Sequence, residues 1–367
     1  MDWHSVYLDT ETAAAALCGR RPMCGPRILQ LNVCDDCNVE CIMCNRSCLG
    51  KAGRMRYETA VSILDQLVPV GLQEVFFHGG GEPFLNPRLP DMIAYAHSRY
   101  PRLRKAVVTN GTVIDGATAT LLRECRVKVR FSVHAGSDDM WRSIHPNLGQ
   151  QLFPSLRRNL AALAPGRRDL TEILFVLFKT NWRSWRTMLD FAREFAPLSV
   201  LLRPMRLYMD NNGMPMNAHL QLDEQEFAQL DNELKSFLSG YRGPLSISAA
   251  GFEHSLFDGE LGRPSTWDFY QRRSCYIGYV LMVVLTDGTV LPCLEESFDE
   301  PLGNVNLQPL SEIWWSPAYQ RFRDRQRLAM RLVRAKTDCL SWCQHLGINR
   351  KLNRLNPRTW PLGRPLS

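Results

Sequence analysis

The sequence predicts an α/β protein: an open, partial (β/α)6 barrel followed by a small β-hairpin-plus-helix unit. Three observations carry this reading. Short apolar segments alternate with helical patterns from Ile28 to about Gly240. There are six such segments, fewer than the eight of a closed barrel. After Gly240 the alternation gives way to a hairpin signal at Asp287-Gly288.

The strands read as Ile28–Val33, Glu74–His78, Lys105–Thr109, Val127–Val133, Ile173–Phe178 and Ser199–Pro204. Most are apolar and rich in β-branched residues, Leu or Phe, as buried parallel strands are. Between them, Ala60, Ile63, Leu64 and Leu67 follow helical spacing, as do Trp185, Met188, Leu189 and Ala192. Phe227, Leu230, Leu234 and Phe237 mark a helix after the sixth strand. Repeated β/α units favour a parallel sheet with helices outside it. Tyr279–Cys293 reads as two strands joined at Asp287-Gly288, with one helix following over Ser311–Leu332. The resulting divisions are an extension at 1–27 with little pattern, a core at 28–240, a cysteine-bearing unit at 241–346 and a basic tail at 347–367.

Composition narrows the class. The 367 residues are 45% hydrophobic and 22% charged, which excludes a disordered chain, a collagen-like fibre and a simple coiled coil. The longest apolar run, Tyr279 to Leu285, is strand-sized, and the N-terminus lacks the order of a secretory signal, so a cytoplasmic protein is expected. The net charge of +7 is concentrated: residues 321–336 hold seven basic residues against Asp324 alone, and residues 347–367 hold five with no acid. A generally basic nucleic-acid binder is not indicated. The basic run reads first as a solvated helix face.

Twelve cysteines in a reducing compartment point to metal ligands rather than disulfides. Cys37, Cys41 and Cys44 form C-x3-C-x2-C directly after the first strand. Three thiolates from one loop can hold three irons of a 4Fe–4S cluster and leave the fourth open to a ligand. With Cys34 included, a zinc site or a four-cysteine cluster is an equal reading of the cysteines alone. A second motif, His78-Gly79-Gly80-Gly81-Glu82-Pro83, ends the second strand. Its glycines allow close approach of a ligand, and the Glu82 carboxylate can accept from an ammonium group. Ligands bind at the carboxyl ends of parallel strands, where both motifs fall.

Together these motifs resemble those of the radical S-adenosylmethionine (radical SAM) enzymes, over roughly residues 28–240. The resemblance implies that Cys37, Cys41 and Cys44 ligate the catalytic 4Fe–4S cluster and that Gly80, Gly81 and Glu82 hold the SAM amino group. It implies reductive cleavage of SAM to a 5′-deoxyadenosyl radical that removes a hydrogen atom from substrate. Asn110, Ser132 and Arg142 are further candidates for contact with SAM. Met43 stands where relatives often carry an aromatic residue, and can pack similarly through its sulfur. Cys34 and Cys48 have no role in the family pattern.

Cys275, Cys293, Cys339 and Cys343 could complete either a closed 4Fe–4S cluster or a four-thiolate zinc site. Their setting resembles the auxiliary-cluster extension called SPASM in its shorter twitch form: Cys275-Tyr-Ile-Gly278, the hairpin, Pro292-Cys293, Leu302-Gly303-Asn304, then Ser311-Glu312-Ile313-Trp314. The resemblance implies two 4Fe–4S clusters, one binding SAM and one auxiliary. It implies a net two-electron oxidation with a reducing partner such as flavodoxin or ferredoxin. Relatives oxidise aminocyclitol alcohols or mature ribosomal peptides. Only about 28 residues precede the first strand, too few for a leader-binding domain, which tilts the expectation to a small molecule. The competing class is a zinc-binding non-enzyme.

Overall fold

The computed structural model describes residues 9–44, 53–163, 168–205, 216–249, 273–293, 301–328 and 345–355. Its strands, in chain order, are β1 (Ile28–Asn32), β2 (Glu74–His78), β3 (Arg104–Thr109), β4 (Lys128–Ser132), β5 (Thr171–Leu177), β6 (Ser199–Pro204), β7 (Ser246–Ser248), β8 (Leu281–Val284), β9 (Thr289–Leu291) and β10 (Gly303–Asn304). They form one open sheet in the order β10-β9-β8-β1-β2-β3-β4-β5-β6-β7. All pairs from β8 to β7 are parallel, while β8–β9 and β9–β10 are antiparallel. The helices are α1 (Thr10–Cys18), α2 (Tyr57–Leu67), α3 (Leu89–Arg99), α4 (Gly116–Glu124), α5 (Asp138–Ile144), α6 (Phe153–Leu163), α7 (Trp185–Phe195), α8 (Glu224–Gly240), α9 (Leu310–Trp314), α10 (Pro317–Leu328) and α11 (Leu346–Leu355). No helix among the described residues is long and apolar enough to cross a membrane.

The two faces of the sheet differ because strand side chains alternate. Leu29, Leu31, Val75, Phe77, Val129, Phe131, Ile173 and Phe175 share one apolar core with Ile63 and Leu64 of α2 and Met188 and Leu189 of α7. Truncating such a residue to Ala costs about 2–5 kcal/mol. Register puts Gln30, Asn32, Glu74, His78, Arg130 and Glu172 on the opposite, concave face. At β4 and β5 that face is held by ion pairs, while at β8, β1 and β2 Ile28, Phe76, Leu281 and Val283 join a second apolar cluster. Glu172 is 1% exposed and accepts from Lys128 Nζ at 2.7 Å, Arg130 Nη2 at 3.0 Å and Ser199 Oγ at 3.0 Å. Removing this carboxylate would leave two cations facing each other without their anion.

Four features differ from the sequence reading. The helix expected over Ser311–Leu332 is two helices, broken before Pro317, which restricts its predecessor and has no N–H to donate; residues 329–332 lie outside the described set. Residues 9–27, which showed little pattern, contain α1, capped by Asp9 and closed by Gly19 at φ 68°. The tail contains α11. The hairpin is not apart from the core: β8 pairs in parallel with β1, so one sheet runs through the boundary drawn at 240.

Candidate active site

The site is built where β1 and β2 end. Register pairs Asn32 with His78, and Val33 N–H then donates to the His78 carbonyl at 2.7 Å, so the cysteine loop and the glycine loop leave the sheet side by side. They are pressed backbone to backbone. Gly81 N–H donates to Cys34 O at 3.1 Å, and Glu82 N–H to Asp36 O at 2.7 Å. A Cβ on Gly79 would lie 2.2 Å from Cys34 O, and one on Gly81 would lie 2.0 Å from Asp36 O. Glycine is required here by the cysteine loop itself, since neither backbone can yield.

Glu82 clamps this pair of loops to β3. It is 1% exposed, and its oxygens accept from Phe84 N at 3.1 Å, Thr109 Oγ1 at 2.7 Å and Asn110 N at 2.7 Å. Burial outweighs those three hydrogen bonds and raises its pKa to about 7. The sequence reading gave Glu82 the amino group of SAM. In the structure its oxygens already accept three hydrogen bonds, which hold the glycine loop to β3.

Asn110 falls inside the same cluster. Its Nδ2 donates to Asn38 Oδ1 at 2.9 Å and lies 3.9 Å from Cys37 Sγ, while its Oδ1 accepts from Thr112. Cys37 and Cys41 are partly buried and Cys44 is exposed. The Cys41 thiol is pushed well above its ordinary pKa, first by burial and then by the nearby Cys44 and Cys37. Neighbouring thiolates in a low dielectric repel one another, so this donor set is suited to a cation held between soft sulfurs. As they stand, no three Cys, His, Asp or Glu side chains among the described residues are drawn into metal-binding geometry. Cys34 is fully buried, and its thiol donates to Asp36 O at 3.7 Å, which makes it a structural cysteine. Cys48 lies outside the described residues.

The remaining candidates lie on β4 and α5. Ser132 ends β4, paired with Leu174 of β5. The Arg142 side chain is 58% exposed, paired with Asp138 at 2.8 Å, and lines a groove with Phe153, Arg157 and Arg158. Burial lowers the pKa of His134 to about 3 and of His145 to about 4, so both are neutral at physiological pH. They have structural partners: Val176 N donates to His134 Nδ1, and the His145 ring stacks on Trp141.

Of the second cysteine set, Cys275 and Cys293 are buried in one core cluster with Ile28 of β1. Cys339 and Cys343 lie outside the described residues. The sequence reading missed what holds this region. Asn349 of α11, fully buried, donates from Nδ2 to Cys275 Sγ at 3.4 Å and accepts at Oδ1 from Tyr276 N at 2.7 Å. Asn353 brackets Ser274 in the same way. Asn349 and Asn353 stand four apart in a basic segment, a spacing visible in the sequence and read there only as tail.

Residues 31–192 match the radical SAM superfamily, and residues 275–345 match the SPASM iron–sulfur cluster-binding domain. The chain carries a radical SAM domain followed by a SPASM domain. These domains imply a SAM-binding 4Fe–4S cluster and auxiliary iron–sulfur chemistry. Among solved structures, Streptococcus suis SuiB bound to precursor peptide SuiA is similar at a TM-score of 0.60 and 14% identity, over 86% of this chain and 70% of that one. Native anSMEcpe with bound AdoMet and Cp18Cys peptide is similar at a TM-score of 0.59 and 19% identity, over 91% and 98%. Both likenesses concern the fold. Fe-coproporphyrin III synthase of Methanosarcina barkeri is 31% identical over 99 residues, 25% of this chain. An uncharacterised protein of Methanocaldococcus jannaschii is 31% identical over 112 residues, 30% of this chain. The matches span only 23% and 39% of those two relatives.

Proposed function

We propose that this radical SAM protein is an oxidoreductase that removes two electrons from a hydroxyl-bearing carbon of a small, aminocyclitol- or sugar-like molecule. One observation carries the reading: β1 joins the two cysteine regions directly. Its first residue, Ile28, packs with Cys275 and Cys293, and its last, Asn32, leads into the cysteine loop. Four residue steps along the strand separate them, about 13 Å at roughly 3.3 Å per step. A substrate on the concave face would lie between a hydrogen-abstracting end and an electron-accepting end.

In this reading Cys37, Cys41 and Cys44 hold the catalytic cluster. Cys275, Cys293, Cys339 and Cys343 hold a closed auxiliary one. When bound, cluster and SAM would together supply a 5′-deoxyadenosyl radical, and the auxiliary cysteines would hold a cluster able to take up the second electron. The protein's part is positional. Gly79 and Gly81 let the two loops meet, Glu82 pins them to β3, and Asn110 sets its amide beside Cys37. Gly80, Ser132 and Arg142 complete the proposed SAM contacts. A small reductant such as flavodoxin or ferredoxin would supply the first electron.

A peptide substrate is the second reading, favoured by the fold likeness to SuiB and anSMEcpe, both solved with peptides. Anaerobic reconstitution tests the common core: about eight irons per chain from two 4Fe–4S clusters are expected. Cys37→Ala, Cys41→Ala and Cys44→Ala should each abolish reductive SAM cleavage. Full cleavage by any of them would sink the assignment. Aminocyclitol alcohols and a candidate precursor peptide, tested side by side for SAM-dependent product, separate the two substrate readings.

A further inference from the structure

Two polar atoms on the concave face stand without a partner. Asn32 Oδ1 and His78 Nδ1 are each buried and find no hydrogen-bond partner among the described residues. Asn32 and His78 are register partners in adjacent parallel strands, so they point to the same side with their backbones about 4.8 Å apart. That side faces away from the helices, because Leu31 and Phe77 occupy the helix-facing positions. It lies at the carboxyl ends of β1 and β2, directly below the cysteine and glycine loops. Buried unpaired polar atoms are uncommon in folded proteins and concentrate where function needs them.

The chemistry of the two atoms defines what would satisfy them. Burial keeps the His78 imidazole neutral, so Nδ1 donates or accepts according to the ring tautomer. Asn32 Oδ1 is an acceptor. A hydroxyl donates and accepts at once, so it satisfies the pair in either tautomer. The nearby Arg130 guanidinium, which adds to burial in lowering the His78 pKa, disfavours a cationic group such as an ammonium beside them.

We infer that Asn32 and His78 form a substrate-hydroxyl site, built to hold the O–H of an alcohol at the SAM-facing end of the barrel. This rests on the oxidoreductase reading above and narrows its substrate class to neutral or weakly charged polyols. The pair determines specificity; it is not assigned a part in bond breaking.

The test uses the full chain, anaerobically reconstituted, with SAM present. Binding of the neutral polyols myo-inositol and scyllo-inositol is read by isothermal titration. The wild type should bind at least one of them. His78→Phe and Asn32→Leu, each removing one polar atom of the pair, should weaken that binding about tenfold or more. His78→Gln, which keeps a group able to donate or accept, should stay within about threefold of wild type. Asn32→Ser, whose shorter side chain withdraws the oxygen from the site while keeping it polar, gives an independent reading at the other position and should weaken binding. Equal affinity in wild type, His78→Phe and Asn32→Ser would show that a water serves both atoms, and would overturn the inference. So would a wild type that binds neither polyol. SAM cleavage by the wild type is measured in parallel. Its absence counts against the oxidoreductase reading, whereas cleavage without binding that depends on these two residues counts against the Asn32–His78 pair alone.

Discussion

Glu82 shows how a single buried group can be both structural and pH-sensitive. Its folded pKa of about 7 stands above its unfolded value of 4.5, so between these the folded protein binds more protons than the unfolded one. Stability therefore falls as pH rises through that window, by on the order of 3 kcal/mol once the carboxyl is fully ionised. Glu82→Gln should flatten the dependence of the melting temperature between pH 5 and pH 8. Identical slopes for wild type and variant would contradict the burial argument. Gly81→Ala tests the loop contact in another way. Its Cβ would meet Asp36 O at 2.0 Å, with backbone on both sides, and the expected loss is on the order of 3 kcal/mol. Chemical denaturation reads it directly, and wild-type stability would mean that the loops are not packed as described.

At the level of elements, the hairpin turn between β8 and β9 reaches the cysteine loop. Thr286 Oγ1 donates to Asp35 Oδ2, and the same carboxylate accepts from Gly80 N–H. One side chain thus ties the SPASM hairpin to the glycine loop. Thr286→Val should weaken SAM binding about fivefold, the value of one hydrogen bond, and Thr286→Ser should restore it. Titration calorimetry on the reconstituted protein decides this, and an unchanged affinity in Thr286→Val would show that the contact transmits nothing. The basic run on α10 also changes meaning at this scale. Arg323 is 1% exposed, donates to Gly278 O and Trp314 O, and lies 4.3 Å from the ring centres of both Trp314 and Tyr319. Part of what reads as a solvated charged face is an internal pin between α9, α10 and the Cys275 segment.

Across the whole molecule, the two ends of the chain meet over the auxiliary region. Ala15 and Ala16 of α1 and Ile348 and Leu352 of α11 share one core cluster with Cys275 and Cys293. The second half of the proposed chemistry therefore depends on both ends being in place. Asn349→Leu should lower stability by about 1–3 kcal/mol, because it strands the Tyr276 N–H. It should also reduce iron content from about eight towards about four per chain if the auxiliary cluster is lost. Iron analysis with electron paramagnetic resonance checks this, and two intact clusters of unchanged signature would rule out a role for α11. Cys293→Ala addresses the electron path. SAM cleavage should continue, and deuterium at the target carbon should still reach 5′-deoxyadenosine, while oxidised product falls much further. Normal coupling in a variant shown to lack the second cluster would exclude the electron-acceptor role.

Much of this was legible in the chain. The six barrel strands are short apolar runs whose identity depends on local composition, and each was found within a residue or two of its observed position. The motifs at Cys37–Cys44 and Gly80–Glu82 were legible because ligand-binding loops concentrate their chemistry in contiguous residues. What stayed hidden depends on neighbours distant in sequence. β7 is three residues with only one apolar side chain, and its pairing with β6 is what makes it a strand. The docking of β8 on β1 joins residues some 250 apart, and no local pattern encodes a parallel pairing of that kind. The same holds for Asn349 beneath Cys275, for Arg323 among its aromatic rings, and for Asn32 beside His78. Sequence determined which residues can carry the chemistry. Tertiary structure decided which of them hold the site together and left the Asn32 and His78 side-chain atoms buried without a partner among the described residues, because burial and hydrogen-bond pairing are properties of contacts and not of residues.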